Sequence, residues 1–119
     1  MPLTGTAGAT RFGILGSATN AAPGSIGDFT ITYTDGTTQT LHLGLSDWTL
    51  QANSADPSYG NTIAVTTGYR DTSNGGRDPV KAYVFSADAA LTAGKTVASV
   101  TLPVDVGGGQ LHVFAFSVQ

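Results

Sequence analysis

The sequence predicts an all-β domain, a Greek-key or jelly-roll β-sandwich, on three observations. Short apolar–polar alternations recur along the 119 residues, and period two is the mark of strands buried on one face. Turn signals separate these runs at short intervals. No segment holds an apolar period of 3.6 long enough for a packed helix. About six or seven such strands favour two packed sheets over one open sheet.

The elements follow in order. Arg11-Phe12-Gly13-Ile14-Leu15-Gly16 reads as a first strand interrupted by glycine. Residues 17–27 are small and read as a connection. Residues 28–34 and 38–45 then form the clearest signal, a hairpin. Phe29, Ile31 and Tyr33 fall on one face, and Leu41, Leu43 and Leu45 face the same core. Thr30, Thr32 and Thr40 face water or a second surface. Between the two runs, Asp35-Gly36 tolerates the positive φ that a tight turn needs. Residues 62–70 are β-rich, and 71–78 read as a turn around Ser73-Asn74-Gly75-Gly76. The next strand is 79–86. Residues 87–93 could make at most a single helical turn. Residues 96–102 and 111–118 are the last strands, parted by Gly107-Gly108-Gly109.

Composition sets the class. A chain of 119 residues suits one domain with one core, residues 1–119. Hydrophobic residues make up 40% and charged residues 11%, the reverse of a disordered chain. Five basic residues stand against eight acidic ones, a net charge of −3. That balance excludes nucleic acid, which needs many phosphate contacts, and an acidic membrane surface. There is no cysteine, hence no disulfide and no thiolate metal site. No apolar run reaches the roughly 20 residues of a membrane span. Met1-Pro2-Leu3-Thr4-Gly5 has no basic region and no apolar stretch, so it is not a signal peptide. The sequence then reads either as a cytoplasmic protein or as a piece of a longer one.

Catalysis finds little support. His42 and His112 sit in separate predicted strands, without metal-ligand spacing to another His or Asp. All eight acidic residues are aspartates, and most fall in turns or at strand ends, where aspartate caps backbone. No acid/base pair of the kind glycoside hydrolysis needs stands out. There is no Gly-x-Ser-x-Gly elbow and no phosphate-cradling loop. The expected protein is therefore not an enzyme and carries no cofactor. Calcium could use aspartate and backbone oxygens, but no dense aspartate loop is present.

Two clusters point to binding instead. Ser46-Asp47-Trp48 is followed by Asn53, Asp56 and Tyr59. Tryptophan and tyrosine rings stack on the apolar face of a sugar, while carboxylates and amides bond its hydroxyls. The competing reading makes Trp48 a plug for the open end of the sandwich. The second cluster, Tyr69-Arg70-Asp71 with Arg77-Asp78, either clamps its glycine-rich turn or grips a ligand. The ligand-binding candidates are Asp47, Trp48 and Tyr59, with Tyr69 and Arg70 as lesser contacts.

Several segments together carry a family resemblance. They are Phe12-Gly13-Ile14-Leu15-Gly16-Ser17-Ala18-Thr19-Asn20, Tyr33-Thr34-Asp35-Gly36-Thr37-Thr38-Gln39 and Leu45-Ser46-Asp47-Trp48. Gly68-Tyr69-Arg70, the stretch from Ala93 to Pro103 and Gly109-Gln110-Leu111-His112-Val113-Phe114-Ala115 complete the set. From about Leu3 onward the chain resembles the β-sandwich accessory modules of secreted actinobacterial glycoside hydrolases. The resemblance implies secretion, a non-catalytic role beside a hydrolase domain, and weak carbohydrate binding. It also implies that the chain matches the C-terminal part of a longer module. An exposed sheet edge would then offer the alternative role of an interaction module. Such a module packs on a catalytic domain or self-associates as a homo-oligomer.

Overall fold

The computed structural model describes residues 8–20, 22–71 and 74–119. The start at residues 1–5, Ser73 of the glycine-rich turn and the side chain of Asp71 lie outside the described residues. The strands are β1 Arg11–Thr19, β2 Gly24–Tyr33, β3 Thr38–Ser46, β4 Thr62–Thr67, β5 Arg70–Asp71, β6 Arg77–Asp78, β7 Ala82–Ala90, β8 Val97–Thr101, β9 Val106–Gly107 and β10 Gln110–Val118. They form two antiparallel sheets face to face and one short ribbon. The hairpin sheet has the order β3-β2-β8, with β9 also on β2. The terminal sheet has the order β10-β1-β7-β4, and the ribbon is β5-β6. The fold is all-β, as the alternation predicts.

The hairpin pairs as its pattern requires. Phe29 lies opposite Leu41, and Thr30 opposite Thr40. Phe29, Ile31, Tyr33, Leu41, Leu43 and Leu45 are all buried. The turn is a four-residue loop in which Gly36 takes the positive φ, +86°. Asp35 closes it by accepting the Thr37 amide at 2.9 Å and the Thr37 hydroxyl at 2.5 Å.

The terminal sheet supplies the other half of the core. Phe12 and Ile14 of β1 and Phe85 and Ala87 of β7 face Phe29, Ile31 and the leucines of β3. The Phe12 and Phe29 rings meet at 6.1 Å between centroids. Each such buried side chain contributes roughly 1.5–3 kcal/mol of transfer free energy. Glycines permit close approach where the sheets meet. A Cβ on Gly16 would strike the His112 carbonyl and stand 2.9 Å from the Leu45 side chain.

Several strand limits differ from the sequence reading; the strand expected over 79–86 begins at Ala82, and Arg77–Asp78 of the expected turn form β6. The 17–27 segment is not a connection, since β1 continues to Thr19 and β2 already begins at Gly24. Residues 87–90 are strand rather than a helical turn, because they pair with Arg11, Phe12, Gly13 and Ile14 of β1. The 62–70 run divides at Gly68, so Arg70 belongs to the ribbon. In each case a cross-strand partner outweighs weak local propensity.

Both edges of the terminal sheet carry a bulge. Leu15 faces Ala115 and Gly16 faces Val113, which leaves Phe114 as the extra residue on β10. Ile63 faces Phe85 and Val65 faces Val84, which leaves Ala64 as the extra residue on β4. A bulge shifts the side-chain phase of its strand by one residue. On β10 the shift keeps Leu111, Val113, Phe116 and Val118 packed against the core. It also turns Phe114 outward, 63% exposed.

Candidate ligand face on the terminal sheet

The chain leaves β3 at Ser46 and crosses to the terminal sheet. There Trp48 wedges between two strands that have begun to separate. The last β1–β7 pair is Gly16 with Phe85. Beyond it the Trp48 amide donates to the Ala18 carbonyl at 2.8 Å, and the Trp48 carbonyl accepts from the Tyr83 amide at 2.8 Å. Both backbone groups are satisfied, so the half-buried ring has a fixed frame. Trp48 neither plugs the core nor stands free in solvent. It lines a shallow groove of about 170 Å³ with Ser17, Val65, Thr67, Val84 and Phe114.

Asp47 serves that frame. It is 8% exposed. Its Oδ2 accepts from the Thr49 amide at 3.3 Å, the Thr49 hydroxyl at 3.0 Å and the Gln51 amide at 2.8 Å. These bonds hold a left-handed turn, Leu50, Gln51, Ala52 and Asn53, with φ of 50°, 54°, 57° and 67°. Such φ values cost roughly 1–2 kcal/mol per residue. Thr49 and Asn53 offset part of that cost. The Thr49 hydroxyl accepts from the Ala52 amide at 3.2 Å. The Asn53 side chain donates to the Thr49 and Lys81 carbonyls and accepts the Lys81 amide at 2.9 Å. The carboxylate that the sequence offered to a ligand is thus committed to the turn that fixes Trp48.

The ribbon places the second cluster beside the first. Arg70 lies opposite Asp78. Its Nε and Nη2 both reach Asp78 Oδ2 at 3.0 Å. The Val80 amide first, then the Arg70 guanidinium, hold the Asp78 carboxyl below the usual carboxylate range. So anchored, the guanidinium sits 5.2 Å from the Trp48 ring centroid, within reach of a cation–π contact. Tyr69 is 42% exposed and lies under the Arg77 guanidinium at 4.3 Å. Arg70 and Asp78 meet the clamp reading, and Arg70 also borders the Trp48 ring.

Tyr59 lies elsewhere, on the outer face of the hairpin sheet. Its ring covers Gly44, whose Cβ, if present, would stand 2.6 Å from the ring. The adjacent loop is tied down by Asn61, which accepts the Ser46 amide at 2.8 Å and donates to the Gly44 carbonyl at 2.9 Å. The structure therefore brings Trp48 and Arg70 together, sets Asp47 beneath them as support, and separates Tyr59.

Sequence reasoning missed Phe114. Simple alternation hides it, because the bulge that exposes it is visible only in the β1–β10 register. The histidines are surface groups. His42 bonds Asp28, its cross-strand partner, and His112 bonds the Thr19 hydroxyl at 2.9 Å. Among the described residues no group of three His, Cys, Asp or Glu could hold a metal ion.

The fold and this face define an all-β, two-sheet domain whose terminal sheet carries Trp48 and Phe114 on its outer side. No protein-family model, curated protein or solved structure matches the chain. The chemistry of the site rests on its own residues.

Proposed function

We propose that the chain is a non-catalytic accessory module that binds a neutral glycan on the outer face of the terminal sheet, with Trp48 as the platform. The observation that carries this reading is the Trp48 groove. An indole ring with fixed backbone bonds lines it together with the exposed ring of Phe114 and the side chains of Val65 and Val84. Such rings stack on the apolar C–H faces of sugars. A shallow site of this kind supports roughly millimolar to high-micromolar affinity. A place beside the catalytic domain of a secreted glycoside hydrolase is proposed on the resemblance of the segments that carry it.

The test is a glycan array, followed by titration of tryptophan fluorescence with any hit. Trp48 is the single tryptophan, so quenching reports this site alone. Trp48→Ala should abolish binding while leaving the melting temperature within a few degrees. A variant that binds as well as the parent would end the reading. A variant that unfolds would return Trp48 to the role of a structural wedge.

One observation favours a second reading, an interaction module. Between β10 and the chain that joins β8 to β9 lies an apolar gap of about 210 Å³, lined by Leu102, Pro103, Val106, Leu111 and Val113. Val104 beside it is 96% exposed. Packing of this side on a catalytic domain, or self-association, would cover it. Light scattering on the parent and on Val104→Asp separates the readings, since only self-association gives a dimer that the aspartate disperses.

A further inference from the structure

We infer that the ligand is a linear neutral oligosaccharide, and that it runs from the Trp48 groove along β1 into a second groove floored by Gly13. This rests on the glycan reading above and gives it a length and a direction. The second groove, of about 290 Å³, lies on the same outer face. The register explains its shape. Gly13 sits between Ser117 of β10 and Asp88 of β7. The missing side chain leaves a trough, and a Cβ at Gly13 would come within 2.7 Å of the Ser117 Oγ. In the next row Leu15 sits between Ala115 and Ser86. Leu15 is 38% exposed and forms an apolar saddle between the grooves. Ser17, Leu15 and Gly13 therefore share one face of β1. Ser17 and Gly13 are four residues apart, or about 13 Å at ~3.3 Å per residue. That span exceeds one sugar ring and suits a short chain of them.

Charge selects the ligand class. Arg11 and Asp88 flank the trough and bind each other, Nε to Oδ2 at 2.9 Å. The pair is neutral overall, so it offers an ionic ligand no net charge to bind. A polyol can add bonds to the remaining guanidinium N–H groups, to the other Asp88 oxygen and to the Ser86 and Ser117 hydroxyls without breaking it.

The experiment is a size ladder, mono- to hexasaccharide, of β-linked gluco- and manno-oligosaccharides, titrated by Trp48 fluorescence and calorimetry. The parent should gain about tenfold in affinity between the disaccharide and the longer members. Ser117→Tyr, which fills the trough from an exposed edge position, and Arg11→Ala should each return the long members to the disaccharide value. Length-independent binding that Trp48→Ala abolishes overturns the second groove and leaves the Trp48 reading intact. So does a Ser117→Tyr and Arg11→Ala pair, both folded by circular dichroism, that keeps the length gain. Length-dependent binding that Trp48→Ala does not change supports the Gly13 groove and removes the platform. No binding by any member overturns both.

Discussion

The two outer faces of the sandwich differ in what they leave bare. The hairpin sheet presents Thr30, Thr32 and Thr40, with the His42–Asp28 pair among them. Where its surface turns to small residues, at Gly44, the chain's own Tyr59 lies over it. The terminal sheet presents Leu15, Val65 and Phe114, with Trp48 at the margin, while the buried Gly13 and Ser17 lie in the floors of its two grooves. The same aromatic chemistry is spent on self-coverage on one face and left open on the other. On the proposed reading, the uncovered face is the one that meets the ligand.

The comparison can be broken first at the core that both faces share. Phe85→Ala should cost about 3–5 kcal/mol in urea unfolding, whereas Phe114→Ala, one sheet surface away, should cost under ~0.5 kcal/mol. Equal losses would mean that Phe114 is packed rather than presented. Next comes the support under Trp48. Asp47→Ala leaves the Thr49 and Gln51 amides without their acceptor, which should cost about 1–3 kcal/mol and shift the Trp48 emission maximum. An unchanged spectrum would detach the turn from the ring. Tyr59→Ala sharpens the contrast between the faces. It should cost about 1–2 kcal/mol by uncovering Gly44 and leave glycan affinity unchanged, so any loss of affinity would move the site to the hairpin sheet.

The smallest effect is electrostatic, at the hairpin turn. Bonds from Thr37, and then Lys95, lower the Asp35 carboxyl from 3.8 to about 2. A lowered folded-state value means that the charged form stabilises the fold. The contribution is complete above the unfolded value near 3.8 and is lost as pH falls toward about 2. Asp35 is exposed, so the effect on stability is small. Carboxyl chemical shifts followed by NMR should show the low midpoint, and Lys95→Ala should move it upward.

The legible parts of the sequence were those where local pattern and tertiary contact agree. Alternation in 28–45 placed Phe29, Ile31, Tyr33 and the three leucines on the core face, because a half-buried hairpin must alternate. Trp48 and Arg70 were identifiable as residue types, and the structure sets them side by side. The small-residue stretch at 17–27 and the alanines at 87–90 carry little strand propensity of their own, so their pairing was hidden. The support role of Asp47 was hidden for a different reason. It depends on a run of positive φ through Asn53 that begins at Leu50, Gln51 and Ala52, residue types that rarely adopt it.

By itself the sequence determined the all-β class, the central hairpin and the inward residues of β2 and β3, because period-two patterning is a local property of the chain. Tertiary structure alone decided which aromatic is covered and which is bare. Tyr59 folds onto Gly44, Trp48 wedges between β1 and β7, and a one-residue bulge turns Phe114 out. Each outcome depends on register between strands far apart in sequence, and a register shift of one residue reverses the face a side chain occupies.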